Sequence, residues 1–320
     1  MLNNVFKKVV LTMIIFNTTF LRNYMGIPQK IKLKFNPNGE FKLVQFADLH
    51  EHSLKNEKTI KFMENTLNLE KPDLVVLTGD NIDGRYCSKE SVKKAIGNIA
   101  KPMEDRKIPW AVVLGNHDNE LCTVNRKNQM EIYMSYKHNI SQNFSSVIDR
   151  AGDYNLIIKD SKNDKPIFNI YMLDSGSYDE TGYGYITKEQ IDWYKKLSNS
   201  LKEHFGKIIP SFMFFHIPLQ QQYMVWQNGK VIGNRNEKEC PQQIDSGLLS
   251  ALIEMRDVKG VFVGHDHIND YVGSVNGIAL GYGRCSGFNG YSKEGFVRGA
   301  RVYILNENSP GKFKTYERLE

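Results

Sequence analysis

Five short stretches of the chain place metal-binding side chains just past an apolar run. Asp48 and His50 follow residues 41–47, Asp80 follows Leu74–Thr78, and Asn116 and His117 follow Trp110–Leu114. His216 follows Pro210–Phe215, and His265 and His267 follow Gly260–Val263. Any one of these is an ordinary loop residue when taken alone. Five in succession are hard to credit to coincidence. Carboxylate, amide and imidazole donors without thiolates suit borderline or hard divalent ions such as zinc, manganese or iron. The donors are too many for one ion and the right number for two that share a carboxylate, at the roughly 3.5–4 Å spacing of two-metal sites.

The elements that must position these groups read as an alternation of strands and helices. Leu74–Thr78 is an uncharged, β-prone run that enters Gly79-Asp80-Asn81, which predicts a buried parallel strand ending in a turn. In open α/β sheets, that carboxyl edge is where ligands bind. Ile60, Met63 and Leu67 predict a helix that stops before Pro72, and Val92, Ile96 and Ile99 mark another before the Trp110 strand. Strand, helix, strand, helix, strand implies a parallel sheet with both faces covered.

Upstream, residues 31–35 and 41–47 flank the turn signal Asn36-Pro-Asn-Gly39 and are expected to pair as a hairpin. Downstream, a helix from about Arg126 to His138 leads to strands near 154–159 and 167–173. Thr187 and Gln190 form a capping box that opens a helix running to about Phe205. Residues 217–241 read as a long polar loop carrying Tyr223 and Trp226, long enough to be functional. A helix near 242–256 precedes the Gly260 strand, and the rest reads as an antiparallel meander: 270–275, an Asn276-Gly277 turn, 278–282 and 299–305. No repeat or linker tract divides the chain, so 29–320 is expected to form one domain behind an extension of 28 residues.

The composition, 41% hydrophobic and 24% charged, is that of an ordinary globular enzyme and excludes a disordered or fibrous chain. A net charge of +6 suits an anionic substrate, but no Lys/Arg block is dense enough for a nucleic-acid surface. Cys87, Cys122, Cys240 and Cys285 contain no CxxC pair, which excludes a disulfide scaffold and a structural zinc site. Lys7 and Lys8 precede the apolar run Val9–Phe16, which is too short to span a membrane. Residues 1–28 read either as a signal or anchor segment, making the protein secreted or membrane-associated, or as a terminal extension of a cytoplasmic one. Asn17, Asn139 and Asn143 stand in glycosylation sequons.

The ordered blocks Asp-x-His, Gly-Asp-Asn, Gly-Asn-His-Asp, His and Gly-His-x-His resemble those of the calcineurin-like metallophosphoesterase superfamily over about residues 40–305. Leu173-Asp-Ser-Gly176, Phe215-His-Ile-Pro218 and Arg284-Cys-Ser-Gly-Phe-Asn-Gly290 look like its purple acid phosphatase-like branch. The resemblance implies a four-layer α/β sandwich of two mixed β-sheets flanked by helices. It implies that Asp48, His50, Asp80 and His267 hold one metal, and that Asp80, Asn116, His216 and His265 hold the other. His117 matches the catalytic histidine, with Asp118 expected to orient its ring. Two divalent ions (manganese, iron or zinc) against two carboxylates leave about two positive charges, one fewer with a bridging hydroxide, which favours a phosphate dianion. The branch's iron-ligating tyrosine, three residues after the bridging aspartate, is replaced here by Asp83.

These readings make the protein a metal-dependent phosphatase that hydrolyses phosphate monoesters of small molecules or phosphoproteins. Nucleic acid is not expected as a partner, and membrane contact is expected only through residues 1–28. A phosphodiesterase or nuclease of the same superfamily is the alternative, with a non-catalytic scaffold behind it. Tyr223, Trp226 and Arg284 are candidates to contact substrate, together with Tyr282 beside Arg284. His52 reads as a surface-loop histidine, with contact to substrate as the alternative. His138 and His204 read as solvated residues of helices, and Tyr183 and Tyr185 as packing residues of a Gly-rich loop.

Overall fold

The structure is a computed structural model that describes residues 29–85, 87–143, 150–180 and 182–320. Its elements in order are β1 (Leu33–Lys34), β2 (Glu40–Phe46), α1 (Glu57–Glu70), β3 (Leu74–Thr78), α2 (Lys89–Arg106), β4 (Trp110–Val113) and α3 (Arg126–Met134). Next come β5 (Tyr154–Lys159), β6 (Pro166–Met172), the short β7 (Tyr178–Asp179) and β8 (Gly182–Tyr183), α4 (Lys188–Phe205) and β9 (Ser211–Phe214). The chain finishes with α5 (Gln222–Gln227), α6 (Leu248–Met255), β10 (Val258–Val263), β11 (Val272–Val275), β12 (Ile278–Tyr282), β13 (Gly299–Asn306) and β14 (Phe313–Leu319).

The strands build two mixed sheets, ordered β14-β13-β2-β3-β4 and β1-β5-β6-β9-β10-β12-β11, beside the small β7–β8 ribbon. Buried on both faces, β3 lies parallel between β2 and β4, which is why its sequence is apolar without alternation. The sheets face each other through aromatic side chains: Tyr303 of one packs on Phe212 and Phe262 of the other at 5.5 and 4.5 Å between ring centroids. Outside, Phe62 of α1 packs on Phe46 of β2, Tyr133 of α3 on Trp110 of β4, and Tyr194 of α4 on Tyr171 of β6. The result is the expected order of layers: helices, sheet, sheet, helices. Thr187 and Gln190 close their capping box at the start of α4, as their spacing predicts.

Three expectations give way. The predicted hairpin of 31–35 with 41–47 does not form, because β1 pairs in parallel with β5 (Leu33 opposite Ile158) in the other sheet. The Asn36–Gly39 turn is present, but it carries the chain between sheets, anchored by Asn36 Nδ2 on the Asp73 carboxylate. The meander holds only for β11 and β12, which reverse at Asn276-Gly277, both at positive φ. β13 crosses to lie antiparallel between β2 and β14, a strand whose partly exposed, charge-rich sequence gave no signal. The helix read over 126–138 stops at Met134, and the one read over 242–256 begins at Leu248.

Among the described residues, no helix is long and apolar enough to cross a membrane. The segment 1–28, with its signal-like run and Asn17, lies outside them. Asn139 is buried, with its Oδ1 accepting from Ser141 N, so that sequon is closed to a glycan.

Candidate metal centre

Parallel strands of both sheets end at one edge, and the loops that leave them interlock. Asp48 N donates to Gly79 O, His50 N to Asp80 O, and Gly264 N to His216 O. Across the sheets, His265 N donates to Asp48 Oδ1 at 2.9 Å, and His216 Nδ1 sits 2.9 Å from Thr78 O. Among the non-glycine residues with positive φ are Asp48 (55°), His50 (45°), Asp80 (47°) and His265 (81°). Backbone held in this region costs on the order of 1–3 kcal/mol per residue and persists where the surroundings dictate it. Here it folds successive side chains back into one place. Gly115 is needed for the same reason, since a Cβ there would lie 2.2 Å from Asp80 Oδ1.

The donors gather into two groups that share Asp80. Asp48, His50, Asp80 and His267 form the first, and Asp80, His216 and His265 the second, each with its ligand atoms within 4.8 Å of one another. Asn116 completes the second group, its Oδ1 3.1 Å from His216 Nε2 while its Nδ2 donates to the Tyr178 hydroxyl. All seven side chains are buried.

The hydrogen-bond pattern tests whether cations belong here. His216 gives its Nδ1 proton to Thr78 O and His267 its Nδ1 proton to Tyr291 O, so each neutral ring turns an Nε2 lone pair inward. That lone pair of His216 faces Asp80 Oδ2 at 3.1 Å, Asn116 Oδ1 at 3.1 Å and His265 Nδ1 at 3.2 Å. Likewise, His267 Nε2 lies 3.0 Å from His50 Nε2. Asp48 Oδ2 and His265 Nε2 are buried without a partner. A ring lone pair that faces the Asp80 carboxylate and the Asn116 carbonyl oxygen in a buried cluster is repulsive unless positive charge, a proton or a metal ion, stands between them. The residues therefore fit two metal ions.

Without such charge the cluster is strained. Burial pushes Asp48 up to about 7 and pulls His50 down to about 4 and His265 to about 3. For His216, burial works against protonation, but Asp80 prevails and raises it to about 9.

His117 stands at the rim, its ring centroid 5.4 Å from that of His50, and its backbone N donates to Asp80 Oδ1. The expectation that Asp118 orients this ring is corrected. Asp118 turns away and accepts from Asn81 N, Ile82 N and Gly115 N. Glu120 takes the role, with Oε2 2.5 Å from His117 Nδ1. The site thus carries a carboxylate–imidazole pair that the adjacent Asp118 concealed in the sequence.

A cavity of about 260 Å³ opens over the centre, lined by His50, His117, His265 and His267 together with Arg85, Tyr183 and Tyr291. One tyrosine backs each metal group: Tyr183 meets His265 edge-on at 4.4 Å, and Tyr291 stacks on His267 at 4.1 Å. The 217–241 loop contributes Cys240 to the lining, and its Glu237 holds the Tyr291 hydroxyl. Tyr223 and Trp226 are not in this wall. They lie exposed on α5, with Trp226 packed on Tyr271.

Arg284 is likewise elsewhere, buried and bound to Asp270, Glu317 and Val297 O, with Phe296 beneath its guanidinium. Tyr282 is buried on Asp266. His138 lies past its helix and bonds Glu104, whereas His52 and His204 are exposed. The clearest missed signal was Tyr291, which directly follows the motif that ends at Gly290.

The calcineurin-like phosphoesterase family profile matches residues 41–269. The chain belongs to that family. This chain is 36% identical to the "Probable inactive purple acid phosphatase 29" of Arabidopsis thaliana, an alignment covering 91% of this chain and 85% of the plant protein. It is 30% identical to "Phosphatase DCR2" of Saccharomyces cerevisiae, covering 90% of this chain and 55% of the yeast protein. Its fold is that of a dimetal phosphatase from Danio rerio, with a TM-score of 0.56 at 14% identity, covering 86% of this chain and 98% of the fish protein. The purple acid phosphatase-like branch is the one its motifs resemble.

Proposed function

We propose that this protein is a two-metal phosphatase acting on phosphate monoesters. The observation that carries the reading is the inward-facing set of lone pairs on His216, His267 and Asn116 around the shared Asp80. Two divalent ions there would supply Lewis-acid charge and a water acidified towards neutrality.

The protein's own residues supply the rest. Asp48, His50, Asp80 and His267 would hold one ion, and Asp80, Asn116, His216 and His265 the other, on loops fixed by inter-strand hydrogen bonds. Glu120 accepts the Nδ1 proton of His117, which leaves Nε2 to carry the proton exchanged at the rim of the cleft. From there His117 protonates the leaving-group oxygen, a contribution of about 10²–10⁴-fold. Tyr183 and Tyr291 form walls on the sides of the centre.

The label "probable inactive" on a plant relative makes turnover the deciding measurement. Against a scaffold role stands the complete set of ligands together with His117. Protein reconstituted with manganese, zinc or ferrous iron should bind two ions and hydrolyse an aryl phosphate monoester faster than the matching diester. Two bound ions without turnover of either ester would sink the reading.

A further inference from the structure

Arg85 lines the cavity over the centre together with His50, Asp80 and His117. Its side chain is about half exposed, at 52%, and the Asp83 carboxylate pairs with it. Asp83 Oδ1 accepts from Arg85 Nε at 2.8 Å and Asp83 Oδ2 from Nη2 at 2.5 Å, while the Arg85 backbone N also donates to Oδ1. Asp83 is buried, and its own N donates to Glu51 O. The turn between them sits against the His117 loop: Gly84 N donates to His117 O, and a Cβ on Gly84 would lie 2.3 Å from that oxygen. Only glycine lets the turn come so close and bring the guanidinium to the cleft.

We propose that Arg85 is the substrate-anion contact of this cleft, taking the non-bridging oxygens of a phosphate monoester dianion, and that Asp83 is the positioning residue that aims it. The proposal rests on reading the cleft as a phosphate site and names what that site selects. Asp83 stands where the purple pattern places a metal-binding phenolate, but its carboxylate is engaged by Arg85. Its departure from the pattern therefore has a use of its own. Because the ion pair is neutral overall, Arg85 adds little long-range attraction. Asp83 takes the Nε–Nη2 edge of the guanidinium, so the phosphate contact falls to its Nη1–Nη2 edge, a planar pair of donors whose direction Asp83 fixes. Fixing the fork in advance reduces the side-chain freedom lost on binding. A monoester dianion offers three non-bridging oxygens and two charges, a diester two oxygens and one charge, so the contact favours the monoester.

The test uses metal-loaded wild type, Arg85→Gln, Arg85→Lys and Asp83→Asn. Binding of inorganic phosphate is followed by calorimetry, and kinetics are measured on an aryl monoester and the matching diester. Arg85→Gln should weaken phosphate binding about tenfold to a hundredfold and raise the monoester KM in step, with a smaller change for the diester. Arg85→Lys should recover part of the affinity, because an ammonium cannot make the fork. Asp83→Asn should weaken phosphate binding several-fold through KM rather than kcat, with both ions retained. Unchanged phosphate affinity in Arg85→Gln, or loss of an ion in Asp83→Asn, would overturn the assignment. Arg85-dependent phosphate binding in a wild type without turnover would uphold it while sinking the phosphatase reading. Turnover indifferent to Arg85→Gln would do the reverse.

Discussion

His117 Nδ1 and Glu120 Oε2 stand 2.5 Å apart at the mouth of the metal centre, while the carboxylate of the intervening Asp118 accepts three backbone amides below. A turn of three residues thus separates two tasks. The residue next to the histidine holds the loops together, and the residue one turn further on fixes the imidazole. Because the Glu120 carboxylate takes the Nδ1 proton, the ring is held in a single tautomer and orientation.

Removing the Glu120 carboxylate should therefore lower kcat without releasing metal. Glu120→Gln is expected to lose about tenfold in kcat and His117→Ala about 10²–10⁴-fold, with both variants keeping two ions. The double variant should be no worse than His117→Ala, because the two residues act as one unit. The loss should grow as the leaving group becomes more basic, the signature of impaired proton donation. Additive losses in the double variant, or equal losses for all leaving groups, would detach Glu120 from His117.

Asp80 belongs to both ligand groups and Asn116 to one, so their variants should differ in metal content. Asp80→Asn is expected to lose both ions, whereas Asn116→Ala should lower occupancy of the second alone. Elemental analysis after gel filtration decides this. Two full ions in Asp80→Asn would place the bridge elsewhere.

The contrast between these residues explains what was legible in the sequence. The metal ligands were readable because an apolar run followed by a polar side chain locates both a strand and its carboxyl end, and parallel strands collect those ends at one edge. Glu120 and Arg85 were not readable, because each depends on how a turn closes, whereas Tyr291 was signalled by its place directly after the motif that ends at Gly290. Spacing alone does not tell that the third residue after His117 returns to its ring, or that Asp83 holds Arg85 over the cavity. Arg284 failed for a longer-range reason: its partners Asp270 and Glu317 come from separate elements that meet only in the fold. The Asn36–Gly39 turn marked where the chain bends but not that β1 would join the other sheet.

Colour should separate this protein from the purple enzymes that its motifs resemble. A visible charge-transfer band requires a phenolate on ferric iron, and at the expected position stands Asp83, bound to Arg85. Tyr86, the nearest downstream tyrosine, lies outside the described residues. The Tyr291 hydroxyl is held by Glu237. Iron-loaded protein should therefore be colourless, lose activity to a chelator and regain it with divalent ions. A visible band in active, iron-loaded protein would count against this, and its disappearance in a Phe variant of Tyr86, Tyr178, Tyr183 or Tyr291 would identify the ligand.

Asp118 should matter for stability before it matters for chemistry. Its carboxylate satisfies Asn81 N and Ile82 N through Oδ1, both at 3.0 Å, and Gly115 N through Oδ2 at 2.6 Å. These amides belong to the turns that present Asp80 and Asn116. Leaving a buried donor without a partner costs about 1–3 kcal/mol, so Asp118→Ala, which strands three, is expected to lose about 3–5 kcal/mol. Asp118→Asn keeps one oxygen acceptor and should lose about half as much. Urea unfolding of metal-free protein measures this apart from ligand binding, and Glu120→Gln, whose carboxylate is partly exposed, serves as the control with little change. The order should invert for proton donation: a folded, metal-loaded Asp118→Asn retains more kcat on substrates with basic leaving groups than Glu120→Gln does. If Asp118→Asn instead unfolds like wild type and loses kcat like His117→Ala, the ring is oriented by Asp118 after all, and the Glu120 contact is incidental.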